Sequence, residues 1–305
     1  MHKLLSKRPM LKMALMGGLM GGLLATGTAQ AARCQTNAQG RWICTYQERN
    51  HSFASANGVL GGCNGAAKVR NVRWQVPEGT PPAGGWPVVF FFQGTVPALD
   101  STRAFNLNST AFGAQYFQAS LHELLDDPQG TGKKYAVIAP DASVKLGMRF
   151  WDTNQGGNYA AKDDACFFPG LFKEVAGGSY GPAAQFNMSK RFAYGISSGG
   201  YNTSRMAVSF NQGDQWTALA IVSASYATCA GPLCTIPKTL PANHPPTKFY
   251  HGTSDPIVPI GTMRPYFDKL SSQGVPVEKV EHKGGHEFTA DVLGDTGIKA
   301  WFDRF

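Results

Sequence analysis

Apolar residues in this chain gather in short unbroken runs, separated by stretches in which they recur at helical spacing. Trp86-Pro87-Val88-Val89-Phe90-Phe91-Phe92 is one such run of β formers and predicts a central strand covered on both faces. Tyr135–Ala139, Phe192–Tyr194 and Ala218–Val222 read the same way, and shorter strands are expected at Lys248–Tyr250 and Val277–Val280. Ala67–Val76 alternates apolar with polar residues, which predicts an edge strand. Helical spacing marks Ala111–Leu125, through Phe112, Tyr116, Phe117, Leu121 and Leu124. It also marks Ala165–Val175, opened by Asp163-Asp164, whose charges suit a helix N-terminus and read as capping rather than catalytic. Met206, Ala207 and Phe210 mark a third helix and Met263–Leu270 a fourth. Thr289–Phe305 reads as a closing amphipathic helix carrying Val292, Ile298, Trp301, Phe302 and Phe305.

Strands alternating with helices predict an α/β fold, a mostly parallel, doubly wound sheet with helices on both faces, in a single domain. The other segments lack periodicity. Residues 33–66, rich in Gly, Asn, Ser and Cys, are expected to form an irregular start with a short strand near Arg41–Tyr46. Leu146–Asn158, which holds Arg149-Phe150-Trp151-Asp152, reads as a long loop at the top of the sheet. Tyr226–Pro246 reads as a Pro- and Cys-rich insertion.

The first residues change the picture. Lys3, Lys7, Arg8 and Lys12 precede an apolar, Gly-rich stretch, Ala14–Thr26, and a small-x-small site at Ala29-Gln30-Ala31. Residues 1–31 are therefore expected to be a signal peptide and residues 32–305 the mature α/β domain. The stretch is too short and too rich in glycine for a membrane span, so a secreted product is expected, extracellular or alternatively periplasmic. Removing this segment takes away four positive and no negative charges, so the formal charge falls from +8 to +4. With no Lys/Arg run, nucleic acid is not an expected partner. Export exposes Cys34, Cys44, Cys63, Cys166, Cys229 and Cys234 to oxidising conditions. Short spacing favours Cys34–Cys44 and Cys229–Cys234, leaving Cys63–Cys166 as a long-range staple. A zinc site competes for these residues, but no C-x-x-C pair or clustered histidine supports one, and no metal or cofactor is expected.

Candidate chemistry centres on Gly195-Ile196-Ser197-Ser198-Gly199, between a strand and a helix. A serine at the apex of such a turn projects its hydroxyl above the sheet, and glycines on either side let strand and helix approach closely. Ser197 needs a base and an orienting acid, each in a loop after a later strand. Asp255 follows Lys248–Tyr250 across a Gly-containing turn, with Pro256 behind it, and His286 follows Val277–Val280 in a Gly-Gly loop. His286 would take the serine's proton, and Asp255 would fix its tautomer. His251 and His282 are the competing bases; His251 better suits stabilising its own turn. Asp291 is a competing acid but follows the histidine. The amide of Ser198 and an amide of Gln93-Gly94-Thr95, that of Thr95, would hold an oxyanion. Trp151 and Phe167-Phe168 read as core rather than substrate platform.

On these residues the chain resembles the polyhydroxyalkanoate depolymerase and feruloyl-esterase branch of the α/β hydrolases. The matching pieces are Gly195-Ile-Ser-Ser-Gly199-Gly200-Tyr201, His251-Gly-Thr-Ser-Asp255-Pro-Ile-Val-Pro259, Gly284-Gly-His286, and Asp163-Asp164 opening a helix. The Ile-Ser-Ser-Gly form and the lack of an appended binding domain look most like extracellular depolymerases of medium-chain-length polyhydroxyalkanoates. One departure is Gln93, where such hydrolases carry a histidine in the oxyanion turn. The resemblance implies an α/β-hydrolase fold and a serine esterase that cleaves poly(3-hydroxyalkanoate) through an acyl-enzyme. Rival readings are a feruloyl or short-chain esterase, a secreted serine peptidase, and a non-catalytic binding protein on this fold. An insoluble polyester would have to be held by the catalytic domain itself. An exposed apolar patch near Ser197 is therefore expected, built from Leu99–Phe112, Phe150–Trp151 and Tyr226–Pro246.

Overall fold

A computed structural model describes residues 32–58, 61–98, 105, 110–213, 216–230 and 232–305. The expected signal peptide at residues 1–31 lies outside the described residues. One eight-stranded sheet organises the rest. Its strands, in chain order, are β1 (Gln47–Ala54), β2 (Ala67–Gln75), β3 (Trp86–Phe92), β4 (Ala136–Pro140), β5 (Phe186–Ile196), β6 (Trp216–Val222), β7 (Thr247–Gly252) and β8 (Val277–His282). Their order across the sheet is β8-β7-β6-β5-β3-β4-β2-β1. Pairing is parallel from β4 through β8, and β2 runs antiparallel to both neighbours.

The central strands are buried because their runs are apolar on both faces. Phe91 and Val89 face one side with Phe117, Leu121 and Phe302, whereas Phe90 and Phe92 face the other with Phe167, Phe168 and Leu171. The helices supply the cover: α1 (Ala114–Asp126), α2 (Asp163–Ala176), α3 (Ser198–Ser209), α4 (Ile260–Ser272) and α5 (Ile298–Phe302). The single doubly wound α/β domain expected from the pattern is the one found.

Two expectations need correction. Ala67–Val76 was expected at the edge, but β1 lies outside β2. β1 falls in the stretch read as irregular, because it buries only His51 and Phe53 among polar neighbours. The closing helix is confined to Ile298–Phe302. Before it come two tight turns, Ala290–Val292 and Gly294–Thr296, with Gly294 in the left-handed region at φ 61°. Val292, Ile298, Trp301 and Phe302 are nonetheless buried, so the apolar spacing marked a core-facing segment and not one continuous helix.

The three disulfides are Cys34–Cys44, Cys63–Cys166 and Cys229–Cys234, as the spacing suggested. Cys63–Cys166 ties the N-terminal segment to α2 across 103 residues. Among the described residues no helix is long and apolar enough to cross a membrane, and no cluster of metal-ligating side chains occurs.

Candidate active site

β5 ends at Ile196 and α3 begins at Ser198, so Ser197 is the single residue between strand and helix. Its backbone is strained, at φ 57° and ψ −125°. Its amide donates to Val222 O at 3.0 Å, and its carbonyl accepts from the Tyr201 amide at 2.9 Å. The residue is half-buried, and its hydroxyl makes no cap hydrogen bond. Glycine is required beside it. A Cβ on Gly199 would lie 1.9 Å from Phe92 O, and one on Gly195 would lie 2.4 Å from the same atom.

The loops after β7 and β8 bring the acid and the imidazole together. His286 Nδ1 lies 2.8 Å from Asp255 Oδ2, with the carboxylate fully buried. A carboxylate only accepts, so Nδ1 carries a proton, and in the neutral ring this leaves Nε2 as the acceptor. Asp255 Oδ1 takes the amides of Ile257 at 2.9 Å and Val258 at 2.8 Å, which locks the carboxylate in place. Among the described residues no hydrogen bond joins Ser197 Oγ to His286. Such contacts are often long before substrate arrives.

His251, read as a turn residue, lies beneath this pair. Its Nε2 is 2.8 Å from Val258 O and 3.5 Å from Asp255 Oδ2. Since the carbonyl only accepts, Nε2 carries the proton. Burial lowers the pKa of His251, which favours its neutral form. The remaining rivals are engaged elsewhere: His282 Nδ1 accepts from the Gly284 amide at 3.1 Å, and Asp291 accepts from Thr289 Oγ1 at 2.9 Å.

The Gln93-Gly94-Thr95 turn lies against the serine, since a Cβ on Gly94 would stand 3.5 Å from that of Ser197. Ser198 supplies the first amide of α3, which has no partner within the helix. Trp151 joins these two segments. Its indole Nε1 donates to Gln93 O at 3.0 Å, and its amide donates to Ser198 Oγ at 3.0 Å. Nothing in the spacing around Trp151 signals these bonds.

The chain is 40% identical over 301 residues to a poly(3-hydroxyoctanoate) depolymerase from Pseudomonas fluorescens, a match that spans 96% of this chain and 98% of that protein. The chain belongs to the poly(3-hydroxyalkanoate) depolymerase family. Membership makes it a carboxylic ester hydrolase. No protein-family model matches it. Its fold is similar to that of an α/β hydrolase from a Medee basin deep-sea metagenome library, with a TM-score of 0.51 at 14% identity, covering 84% of this chain and 97% of that one.

In this depolymerase-family chain several large apolar side chains stand in solvent, and two of them, Phe112 and Ile257, adjoin His286 and Asp255. Phe112, Leu146, Leu233 and Ile257 are all at least 50% exposed. Phe112 meets the His286 ring edge-on, with centroids 6.2 Å apart, and holds a left-handed backbone at φ 54°. Its carbonyl accepts from the Phe288 amide at 2.9 Å, which ties it to the His286 loop. The expected contributors differ in part. Trp151, Tyr226 and Leu240 are buried in the core, as is Phe105, while residues 99–104 and 106–109 lie outside the described set.

Asp163-Asp164 opens α2, as expected, and also reaches the Trp151 loop. The Asp152 amide donates to Asp164 Oδ2 at 2.5 Å, and the Asp164 amide donates to Asp152 Oδ2 at 3.0 Å. Arg70 Nη1 bonds Asp164 Oδ1 at 2.6 Å, and Lys145 pairs with Asp152. Burial pushes the Asp164 carboxyl up to about 6, against the pull of Arg70.

Proposed function

We propose that this chain is a secreted serine esterase that cleaves poly(3-hydroxyalkanoate) through an acyl-enzyme on Ser197. In this mechanism His286 Nε2 takes the Ser197 proton as Oγ attacks the ester carbonyl. Asp255 holds the tautomer that makes this possible and stabilises the imidazolium. The amides of Ser198 and Thr95 donate to the oxyanion. As the intermediate collapses, His286 returns the proton to the leaving hydroxyl. Water then attacks the acyl-enzyme by the same route, freeing a carboxylate and Ser197.

The observation that carries the chemistry is a buried carboxylate–imidazole pair, ordered for base catalysis, in a fold whose strained turn presents a serine. Support for the substrate class comes from the poly(3-hydroxyoctanoate) depolymerase relative. The exposed Phe112 and Ile257 beside the His286–Asp255 pair fit an enzyme that must hold a water-insoluble polymer. Residues 1–31 would direct export, and the disulfides fit that route.

The test is product analysis after incubation with short- and medium-chain polyester latex, alongside small ester and amide substrates. Clearing of medium-chain latex with release of hydroxyacids is expected, and Ser197→Ala should abolish it. Untouched latex with rapid turnover of feruloyl or short-chain esters would make the chain a small-ester hydrolase. Amide cleavage would make it a peptidase, and no turnover at all would favour a binding protein.

A further inference from the structure

We propose that Trp151 is a positioning residue that sets the spacing between the two amide donors of the oxyanion site. The proposal rests on the reading of Ser197 as the nucleophile, and it assigns the donors a common clamp. Trp151 is completely buried. A core tryptophan needs one acceptor for its indole N–H. Here that acceptor is Gln93 O, at 3.0 Å. The Gln93 carbonyl and the Gly94 amide share one planar peptide unit. Holding the carbonyl therefore fixes the peptide plane one unit before the Gly94–Thr95 plane that carries the Thr95 amide. The main-chain amide of Trp151 bonds Ser198 Oγ at 3.0 Å and fixes the first residue of α3. One residue thus grips both arms, from the side facing the core.

The clamp is itself held on every side. The Trp151 ring stacks on Phe168 at 5.5 Å and 26° and meets Phe92 edge-on at 5.2 Å. Asp152 exchanges hydrogen bonds with Asp164 at the start of α2. Thr153 Oγ1 donates to Ala227 O at 2.8 Å, and Arg205 of α3 donates to both Thr153 Oγ1, at 3.1 Å, and Ala227 O, at 2.9 Å. Residues 151–153 therefore tie α2, α3 and the loops after β3 and β6 into one unit. This rigidity matters most when charge develops on the oxygen, because preorganised donors act on the transition state more than on the neutral ester.

The experiment compares the full chain with Trp151→Phe, which keeps an aromatic ring but deletes the indole N–H, and with Ser198→Ala, which deletes the acceptor of the other bond. Readouts are kcat and KM on p-nitrophenyl octanoate, the inhibition constant of an alkylboronic acid, and the melting temperature. Trp151→Phe is expected to lower kcat about 100-fold and to weaken the boronate by a similar factor. KM should stay within about twofold, since ground-state binding is untouched. Because both bonds serve one clamp, the double variant should lose less than the product of the single losses. A purely structural tryptophan would lower the melting temperature and leave kcat of the folded enzyme and boronate affinity unchanged; that result overturns the proposal. If Trp151→Phe does not fold, Ser198→Ala decides on the same readouts. Ser197→Ala, run in parallel, separates the two levels. Turnover retained there overturns the nucleophile and this proposal together. Turnover lost there, with normal kcat in Trp151→Phe, overturns this proposal alone.

Discussion

Replacing Asp255 by Asn changes one atom of the side chain and should nearly silence the enzyme. Asp255 Oδ1 accepts two main-chain amides, at 2.9 and 2.8 Å, while Oδ2 faces His286 Nδ1 at 2.8 Å. Asparagine has one oxygen, and the two amides claim it. Its NH2 then stands where Oδ2 stood and points at the Nδ1 proton of His286. Two donors cannot face each other, so the imidazole must carry its proton on Nε2 instead. In that tautomer Nε2 no longer accepts from Ser197. Tautomer errors of this kind lower kcat by about 10⁴ in serine hydrolases, equivalent to ~5 kcal/mol of barrier. The fold should lose far less, about 2 kcal/mol for one charge-assisted hydrogen bond. Steady-state turnover of p-nitrophenyl octanoate, with a thermal melt of the same sample, separates the two effects. A folded Asp255→Asn variant that keeps more than about a tenth of wild-type kcat would refute the assignment of Asp255 as orienting acid.

Three further outcomes are expected. Phe112→Gly relieves a left-handed backbone at φ 54° and removes a ring that stands over His286, so it should melt no lower than wild type. It should also lose more kcat/KM on an octanoate than on an acetate ester; equal losses on the two would exclude a substrate contact. Gly199→Ala places a Cβ 1.9 Å from Phe92 O and 2.4 Å from Gln93 O, both main-chain atoms that no rotamer change can move. The overpacking should destabilise by about 3 kcal/mol and lower the melting temperature by roughly 10 °C, and a melt matching wild type would contradict the close approach of strand and helix. Asp164 is raised from 3.8 to about 6, so the folded state binds its proton more tightly than the unfolded chain does. Its contribution favours folding below pH 3.8 and is lost as pH rises to about 6. Asp164→Asn, neutral throughout, should remove that slope from denaturant titrations across this window, and an unchanged slope would show that Asp164 titrates normally.

What was legible in the sequence follows from how local each signal is. The runs at Trp86–Phe92 and Ala218–Val222 mark central strands because both faces are covered, so no polar residue interrupts them. The meeting of Asp255 and His286 could be anticipated because parallel strands deliver their following loops to one edge of the sheet. β1 escaped notice because an edge strand buries one face only, and just two of its side chains go inside. The closing helix was overdrawn because Gly294 and Gly297 break a pattern whose apolar positions still face the core. The Trp151 bonds and the edge-on meeting of Phe112 with His286 had no local sign, whereas the turn role of His251, close in sequence to Asp255 and Val258, was legible. The Trp151 and Phe112 contacts join residues more than 30 positions apart, which spacing does not encode.

Labelling with a fluorophosphonate tests the central claim most directly, because the reagent needs a serine activated by a histidine. The account predicts one equivalent of adduct, located by peptide mass spectrometry on Ser197, with ester turnover falling in proportion. Full turnover in labelled enzyme, or inactivation with the adduct on a different residue, would contradict it.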